Sequence, residues 1–343
     1  MKALVKTAKG RDFIELKEAP RPNINAKEVL IAVKFAGVCT TDIHIQHDRF
    51  PYWPPVIMGH EFSGEIVEIG EEVKDWKIGE RVVGEPHTLA CGECFLCRTG
   101  NIQICEHKRS PGWGIDGAFA EFLRMPKHLL HKIPENVTFE EAALAEPTAV
   151  VVYEVLERSR VEPGDFVVII GPGPLGLLST ILCKASGASR VAVIGTGSAE
   201  EIRFSIARQV GADHIINTSQ EDPIDVIARL SGGRGADLVV ETSGSPSGIN
   251  CSVETVRKLG RIASIGFAAQ DQVPLPWNKA MYKNCQITFT MSSSYSSWGR
   301  ALALIDGRID LKPVITDILS IEEWEEAFER VAARKRGKVL FRF

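Results

Sequence analysis

Four cysteines, Cys91, Cys94, Cys97 and Cys105, crowd into one segment with the spacing C-x2-C-x2-C-x7-C. Thiolates this close together offer zinc tetrahedral ligation at about 2.3 Å each, in a closed site with no position for substrate. An iron–sulfur cluster is the competing occupant. The last interval is seven residues rather than three, and Glu106 rather than proline follows Cys105, so the ferredoxin run is not met. The segment holds half of the eight cysteines in the chain, and in a long intracellular chain such clustering indicates metal binding rather than disulfides. A zinc there holds a loop with little core of its own and matters for folding or assembly.

A second candidate ligand set is Cys39, His60 and Glu61, with Glu146 further along in the run AEP. Taken alone, Cys39 is equally a small buried apolar residue and His60-Glu61 a surface loop. A third feature shifts that balance. The run VVIIGPGPLG, Val167–Gly176, reads as a buried strand that ends in Gly171-Pro172-Gly173-Pro174-Leu175-Gly176 and opens a helix. In that context a G-x-G-x-x-G pattern indicates dinucleotide binding. Gly171 permits the tight turn, Gly173 the approach of the pyrophosphate and Gly176 close helix–strand packing, while the helix N-terminus faces the phosphates. Beside a nicotinamide site and a closed zinc lobe, Cys39, His60 and Glu61 read as an open, catalytic zinc site.

The second strand of the same unit, RVAVI, ends in Gly195-Thr196-Gly197-Ser198, with no carboxylate at its tip for a ribose 2′-hydroxyl. Ser198 and Arg203 suit a 2′-phosphate, which favours NADP over NAD, with Glu200 and Glu201 the nearby carboxylates that speak for NAD. Ser243, in Thr242-Ser243-Gly244, and Ile265-Gly266 end later strands, where ligands approach an open α/β sheet.

The elements that must position these groups fall into two textures. The first ~150 residues are β-rich, with strands expected at Val29–Phe35, Glu61–Ile69 and Phe119–Met125 and punctuation at Gly37, Pro51, Pro54, Pro55, Gly59, Gly79 and Gly84. From about Thr148 strands and helices alternate: strands at Phe166–Ile170, Arg190–Ile194, Asp237–Glu241 and Arg261–Phe267, a helix opening near Leu175, one ending near Val210 and one around Ile249–Lys258. That alternation means a parallel sheet with right-handed crossovers. After about Lys283 the pattern loosens. Ser292–Ser297 reads as a polar loop or helix start, Ile321–Ala333 as an amphipathic helix and Lys338–Phe343 as a last strand. The expected division is a first domain over residues 1–147, completed by 284–343, and a dinucleotide-binding domain over 148–283.

Size and charge agree with this division. A chain of 343 residues exceeds what one core usually supports, and a formal charge of −4 gives no electrostatic reason to expect nucleic acid or an anionic membrane as partner. The basic run Arg334–Arg336 reads as a solvated helix end. No apolar run approaches a membrane span and the N-terminal MKALVKTAKG has no apolar signal core, so a cytoplasmic location is expected.

Gly59-His60-Glu61, the run Cys39-Thr40-Thr41-Asp42-Ile43-His44, the four-cysteine lobe and GPGPLG together resemble the zinc-dependent medium-chain dehydrogenase/reductase (alcohol dehydrogenase) superfamily over nearly the whole chain. The stretch Pro134–Pro147, PENVTFEEAALAEP, is similar to its polyol (sorbitol) and threonine dehydrogenase branch. The resemblance implies an α/β chain, with a GroES-like β-barrel catalytic domain, a Rossmann domain with a doubly wound parallel sheet, and the active site between them. It makes Cys39, His60 and Glu61 ligands of the catalytic zinc, and Glu146 a carboxylate bound to that metal directly or through water. Thr41 becomes the hydroxyl at the substrate oxygen and His44 the outer end of a proton relay that runs through the cofactor ribose. His87 resembles a substrate-contacting histidine of threonine dehydrogenases, while Phe50, Trp53 and Trp113 are pocket lining or core. Two departures stand out: Thr40 where the branch commonly has glycine, and the missing acid after the second strand.

The implied reaction is oxidation of a secondary alcohol, a polyol or sugar-like substrate, to a ketone, with zinc as Lewis acid and NADP or NAD as hydride acceptor. Two zinc ions per chain and a homodimer or homotetramer go with it. The alternatives are an L-threonine or amino-alcohol dehydrogenase and a non-catalytic dinucleotide-binding protein. Retention of Thr41, His44 and a full ligand set argues against the latter, and two metal sites argue against a zinc-free quinone reductase.

Overall fold

The computed structural model describes residues 1–199 and 201–343; Glu200 lies outside the described residues. Two sheets carry most of the chain. The first has seven strands, in the order Ile315–Ser320, Lys338–Arg342, Glu28–Val38, Glu61–Ile69, Arg81–Gly84 and Leu130–Lys132, with Phe122–Pro126 also paired to Glu28–Val38. A three-stranded sheet of Ile14–Glu18, Lys2–Lys6 and Val56–Ile57 lies beside it in the chain order. The C-terminal strand is antiparallel to Glu28–Val38, with Leu340 opposite Gly37. The end of the chain thus adds strands Ile315–Ser320 and Lys338–Arg342 to the sheet of the N-terminal half.

The second sheet is parallel and six-stranded, in the order His214–Asn217, Arg190–Gly195, Phe166–Ile170, Ala236–Glu241, Val256–Ser264 and Gln286–Phe289. The order reverses at Phe166–Ile170, the run of five buried apolar residues, and a ligand crevice opens beyond the carboxyl ends of strands at such a reversal. Burying these side chains on both faces explains why the strand reads as continuous apolar sequence rather than as alternation. Each contributes about 1.5–3 kcal/mol relative to an exposed position.

Three expectations need correction. The parallel sheet runs past residue 283: helix Trp277–Lys283 is a crossover, and Gln286–Phe289 follows it as a sixth strand paired with Arg261–Ser264. The helix expected around Ile249–Lys258 spans Pro246–Thr255, because Ser245 caps it by accepting from Gly248 N at 3.0 Å and Pro246 fills its first turn. The strand after it begins at Val256 and stops at Ser264, before Ile265-Gly266-Phe267. The serine-rich patch is a helix start, with Ser294 accepting from Ser297 N at 3.1 Å ahead of Tyr295–Ile305. Among the described residues no helix is long and apolar enough to cross a membrane.

Candidate metal and cofactor site

Three elements converge on the Cys39 centre. Cys39 stands at the N-cap of helix Thr40–Gln46, where its backbone N–H donates to Asp42 Oδ2 at 2.8 Å. His60 precedes and Glu61 opens strand Glu61–Ile69, behind Gly59, whose φ of +89° no L side chain adopts readily. The ligand atoms of Cys39, His60 and Glu61 all lie within 4.8 Å of one another. Glu146 is buried in the first turn of helix Ala145–Val151, outside that ligand cluster but close enough that its charge acts on His60. Thr41 Oγ1 lies 3.6 Å from Cys39 Sγ. His44, one turn further along the same helix, faces Phe267 with ring centroids 6.3 Å apart.

One residue that the sequence reading missed completes the centre. Lys338, 2% exposed, is ion-paired through Nζ with Glu61 Oε2. Gly37 makes the contact possible: it sits opposite Glu61 on one side and Leu340 on the other, and a Cβ there would stand 2.2 Å from Glu61 Oε2 and 2.7 Å from the Lys338 side chain. Glycine at this crossing is thus a packing requirement. Lys338 was illegible because strand pairing alone brings the last strand to Glu61.

The electrostatics test whether a cation fits. Burial raises Asp42 to about 6 despite His60 nearby, and raises Glu146 to about 7, helped by repulsion from Glu61. Burial opposes charge on His60, but the Cys39 sulfur, Asp42 and Glu146 outweigh it and lift its pKa to about 10. Burial likewise opposes charge on Lys338, and Glu61 and Cys39 overcome it. Glu61 Oε1 and His60 Nδ1 are buried with no hydrogen-bond partner, a cost that buried polar atoms rarely bear unrelieved. Four acidic groups face two cations in a dry pocket. Sulfur, nitrogen and carboxylate donors converging there suit zinc.

The cysteine lobe passes a geometric test. Ligands at about 2.3 Å around a tetrahedron stand roughly 3.8 Å apart. Cys91 and Cys97 Sγ are 3.9 Å apart, Cys94 and Cys105 Sγ 3.9 Å, and Cys105 and Cys91 Sγ 3.7 Å. A disulfide would need about 2.05 Å. Backbone N–H groups of Glu93 and Cys94 aimed at Cys91 lower its thiol to about 6, whereas burial raises that of Cys97 to about 12, so the sulfurs do not all ionise without a cation among them. Phe95 is 78% exposed, so the lobe has little core to hold it without the ion.

At the glycine turn each residue has a distinct reason. Gly171 has φ +98°, and a Cβ would meet Thr242 Oγ1 and the Ser243 backbone at 3.0–3.1 Å. A Cβ on Gly176 would stand 1.9 Å from Gly171 O. Gly173, the N-cap of helix Pro174–Ala185, has only Arg203 Nη1 in reach, at 3.9 Å, so its bare backbone is free for a ligand; Pro174 and Leu175 form the first turn behind it. Gly195 ends its strand against Phe204 and Pro172. Ser198 Oγ is 2.7 Å from Thr196 Oγ1, and Arg203 Nε donates to Arg336 O at 2.7 Å. The basic run at 334–336 follows the end of helix Trp324–Ala332 with Arg334 and Lys335 exposed, as expected of a solvated helix end, while the Arg336 carbonyl tethers Arg203.

Glu241, also missed, ties the remaining loops together. Its carboxylate accepts from Ser243 N at 2.9 Å and from Gly244 N at 3.2 Å, and its carbonyl accepts from Ile265 N and Gly266 N at 2.9 and 3.0 Å. A buried acid at a strand tip immediately before Thr-Ser-Gly was the available signal. His87 is 2% exposed and its Nε2 lies 3.1 Å from Ser293 O; burial drops its pKa to about 3. It sits in a packed polar network with Glu85 and His131.

Comparison with known proteins bears directly on this geometry. Residues 25–135 match the alcohol dehydrogenase GroES-like domain, and residues 174–307 the zinc-binding dehydrogenase domain. A sorbitol dehydrogenase of Halalkalibacterium halodurans is 35% identical, over 99% of this chain and 98% of its own. This chain belongs to the zinc-dependent medium-chain dehydrogenase/reductase family. An L-threonine 3-dehydrogenase of Pseudoalteromonas translucida is 33% identical over 99% of each chain. The crystal structure of a zinc-binding dehydrogenase from Sinorhizobium meliloti 1021, bound to NADP, superposes with a TM-score of 0.92 at 28% identity, covering 100% of this chain and 99% of the other. As a member of that family the protein is a zinc-dependent, nicotinamide-linked alcohol dehydrogenase with a GroES-like and a Rossmann domain.

Proposed function

We propose that this dehydrogenase oxidises a polyol at a secondary alcohol to the ketone, with two zinc ions per chain and NADP as the preferred acceptor. The observation that carries the reading is the donor cluster of Cys39, His60 and Glu61, with Glu61 Oε1 and His60 Nδ1 unpartnered and the Thr41 hydroxyl 3.6 Å from Cys39 Sγ. When bound, zinc supplies Lewis acidity at the substrate oxygen and the nicotinamide takes up the electron pair from carbon.

The chain's own residues do the rest. Cys39, His60 and Glu61 hold the ion, and Lys338 fixes the Glu61 carboxylate by pairing with Oε2. Thr41 Oγ1 would accept the alcohol proton while giving up its own, acting as a relay rather than a final acceptor. His44 stands one turn along, and burial together with Arg334 and Arg49 lowers its pKa, so it is neutral near pH 7 and able to receive that proton toward solvent. Phe50, Trp113 and Phe267 exclude water: Trp113 packs edge-on against His60 at 5.0 Å and against Phe50 at 5.5 Å, and Phe267 meets Phe50 at 6.2 Å. Backbone N–H groups at the start of Pro174–Ala185 face the pyrophosphate. NADP is supported by the acid-free tip Thr196-Gly197-Ser198 and by Arg203 beside Gly173.

Assembly as a homodimer or homotetramer is supported by the open edge of strand Gln286–Phe289, where Phe289 is 71% and Met291 50% exposed. Unpaired sheet edges with apolar side chains are sites of pairing with another copy. The test of the function is a kinetic panel of hexitols, simple secondary alcohols and L-threonine with NADP and NAD. Polyol turnover with NADP is expected; turnover of threonine above every polyol would replace the reading with that of the second relative.

A further inference from the structure

The His44 side chain makes no hydrogen bond among the described residues, so a ring contact orients it. Phe267 lies 6.3 Å from the imidazole, centroid to centroid, with the planes tilted by 56°. The same Phe267 ring meets Phe50 at 6.2 Å and 64°. Phe50 meets Trp113 at 5.5 Å and 79°, and Trp113 meets His60 at 5.0 Å and 74°. Tilted and edge-on pairs at such separations are the favourable arrangements of aromatic rings. An unbroken run of rings therefore joins the metal-centre residue His60 to His44. Phe267 alone in that run comes from the parallel sheet, just beyond strand Val256–Ser264.

The backbone that carries Phe267 has no slack. Ile265 N and Gly266 N donate to Glu241 O at 2.9 and 3.0 Å. A Cβ on Gly244, which has φ +60°, would stand 2.2 Å from Phe267 O, and one on Gly266 would stand 2.3 Å from Gly244 N. The segment is pressed onto the turn after Glu241, while the Phe267 ring is 54% exposed and belongs to neither core of the parallel sheet. A large apolar ring left out of the core, on a rigid turn and against an imidazole, contributes little to stability and is placed to hold its neighbour.

We propose that Phe267 is the positioning residue of the proton relay: its ring sets the orientation of the His44 imidazole, so the relay end is in place only where the parallel sheet meets the helix that carries His44. The assignment rests on the relay role given to His44 above and adds the group that orients it. A correctly turned neutral imidazole accepts the relayed proton on one nitrogen and releases one to buffer from the other. Such transfer needs a heavy-atom approach of about 2.6–3.2 Å, which a freely turning ring meets only part of the time.

The test uses the zinc-loaded full chain with NADP and whichever alcohol of the panel above is turned over fastest. Wild type, Phe267→Ala, Phe267→Tyr and His44→Gln are compared. Phe267→Ala is expected to melt within about 2 °C of wild type and to bind NADP with a Kd changed by less than about twofold. Its kcat/KM for the alcohol should fall about tenfold, and a raised concentration of a non-coordinating buffer base should recover part of the loss, as it should in His44→Gln. The acid limb of its pH profile should move up toward 6.5, because burial is the largest cause holding His44 low. Arg49 and His47 beside it and Arg334 after helix Trp324–Ala332 stay in place. Phe267→Tyr keeps the ring and should keep both the rate and the limb. Wild-type rate and limb in Phe267→Ala, beside a loss in His44→Gln, would overturn the positioning role and leave the relay standing. A loss that buffer does not relieve, or that resides in NADP binding, would also overturn it, by reducing Phe267 to a wall of the cofactor site. Unchanged kinetics in His44→Gln would overturn the relay and this proposal together.

Discussion

The two metal-ligand clusters of this chain solve opposite problems. In the lobe, four like donors at near-tetrahedral spacing surround a point in an exposed loop. Nothing else is charged enough to need the ion, and an ion there is closed off from substrate. At Cys39, three unlike donors sit in a dry pocket with an extra acid, Glu146, a buried lysine, Lys338, and polar atoms with no partner. The lobe is a local sequence device. The pocket is assembled from both ends of the chain, with Lys338 of the last strand paired to Glu61 and the Thr41 hydroxyl 3.6 Å from Cys39 Sγ. Closure of a site is thus written in spacing, while openness has to be built by the fold.

That contrast is most sharply broken at the ligands. Cys39→Ser should lower turnover by about a thousandfold or more while leaving the melting temperature close to wild type, because the Lewis acid is the main source of charge stabilisation in the reaction. Cys97→Ser should do the reverse: a melting midpoint lower by about 5–10 °C, or failure to assemble, with residual turnover in whatever folds. Calorimetry and steady-state kinetics on both variants separate the two roles; matching profiles would erase the distinction.

Lys338→Met comes next. It strands Glu61 as a buried, unpaired carboxylate, and removing one partner of such a pair costs about 3–5 kcal/mol. Denaturant unfolding of the metal-free protein should register that loss, and added zinc should recover part of it by binding the folded state. A loss under about 1 kcal/mol would show that Lys338 carries no such charge balance.

The glycine turn sharpens the same contrast between folding and chemistry. Gly176→Ala should impair folding, since its Cβ would stand 1.9 Å from Gly171 O. Gly173→Ala should fold normally and raise the KM for the nicotinamide by about tenfold, because only Arg203 is in reach of that position. Thermal melts and cofactor titration distinguish them.

The smallest effect is in pH. His44 is the proton acceptor when neutral, and its pKa lies below the ordinary 6.5 through burial and the nearby Arg334, Arg49 and His47. The neutral form therefore persists as pH falls to 6.5, and kcat/KM for alcohol oxidation should decline only as pH drops through the lowered value. His44→Gln should abolish that limb of the profile; a His44-dependent limb above pH 6.5 would contradict the relay.

Much of this was legible before the fold was known, for a physical reason. The cysteine lobe and GPGPLG are short-range devices whose partners lie within a few residues, so spacing carries their geometry. Cys39, His60 and Glu61 were legible only in company, because no local pattern says that two separate loops meet. Lys338 and Gly37 were not legible, since their meaning arises where the last strand crosses Glu28–Val38. Glu241 reads as an ordinary strand-end acid until its carboxylate is seen gathering Ser243 and Gly244. The strand at 286–289 was missed because the crossover before it, Trp277–Lys283, buries no side chain and shows no clear apolar stripe.

Zinc counted per folded chain, beside turnover on the same samples, tests the central claim most directly. Two ions in the wild type, and one with turnover abolished in Cys39→Ser, are predicted. Two ions retained in Cys39→Ser, or turnover that survives the loss of one, would contradict the assignment of the open site to Cys39, His60 and Glu61.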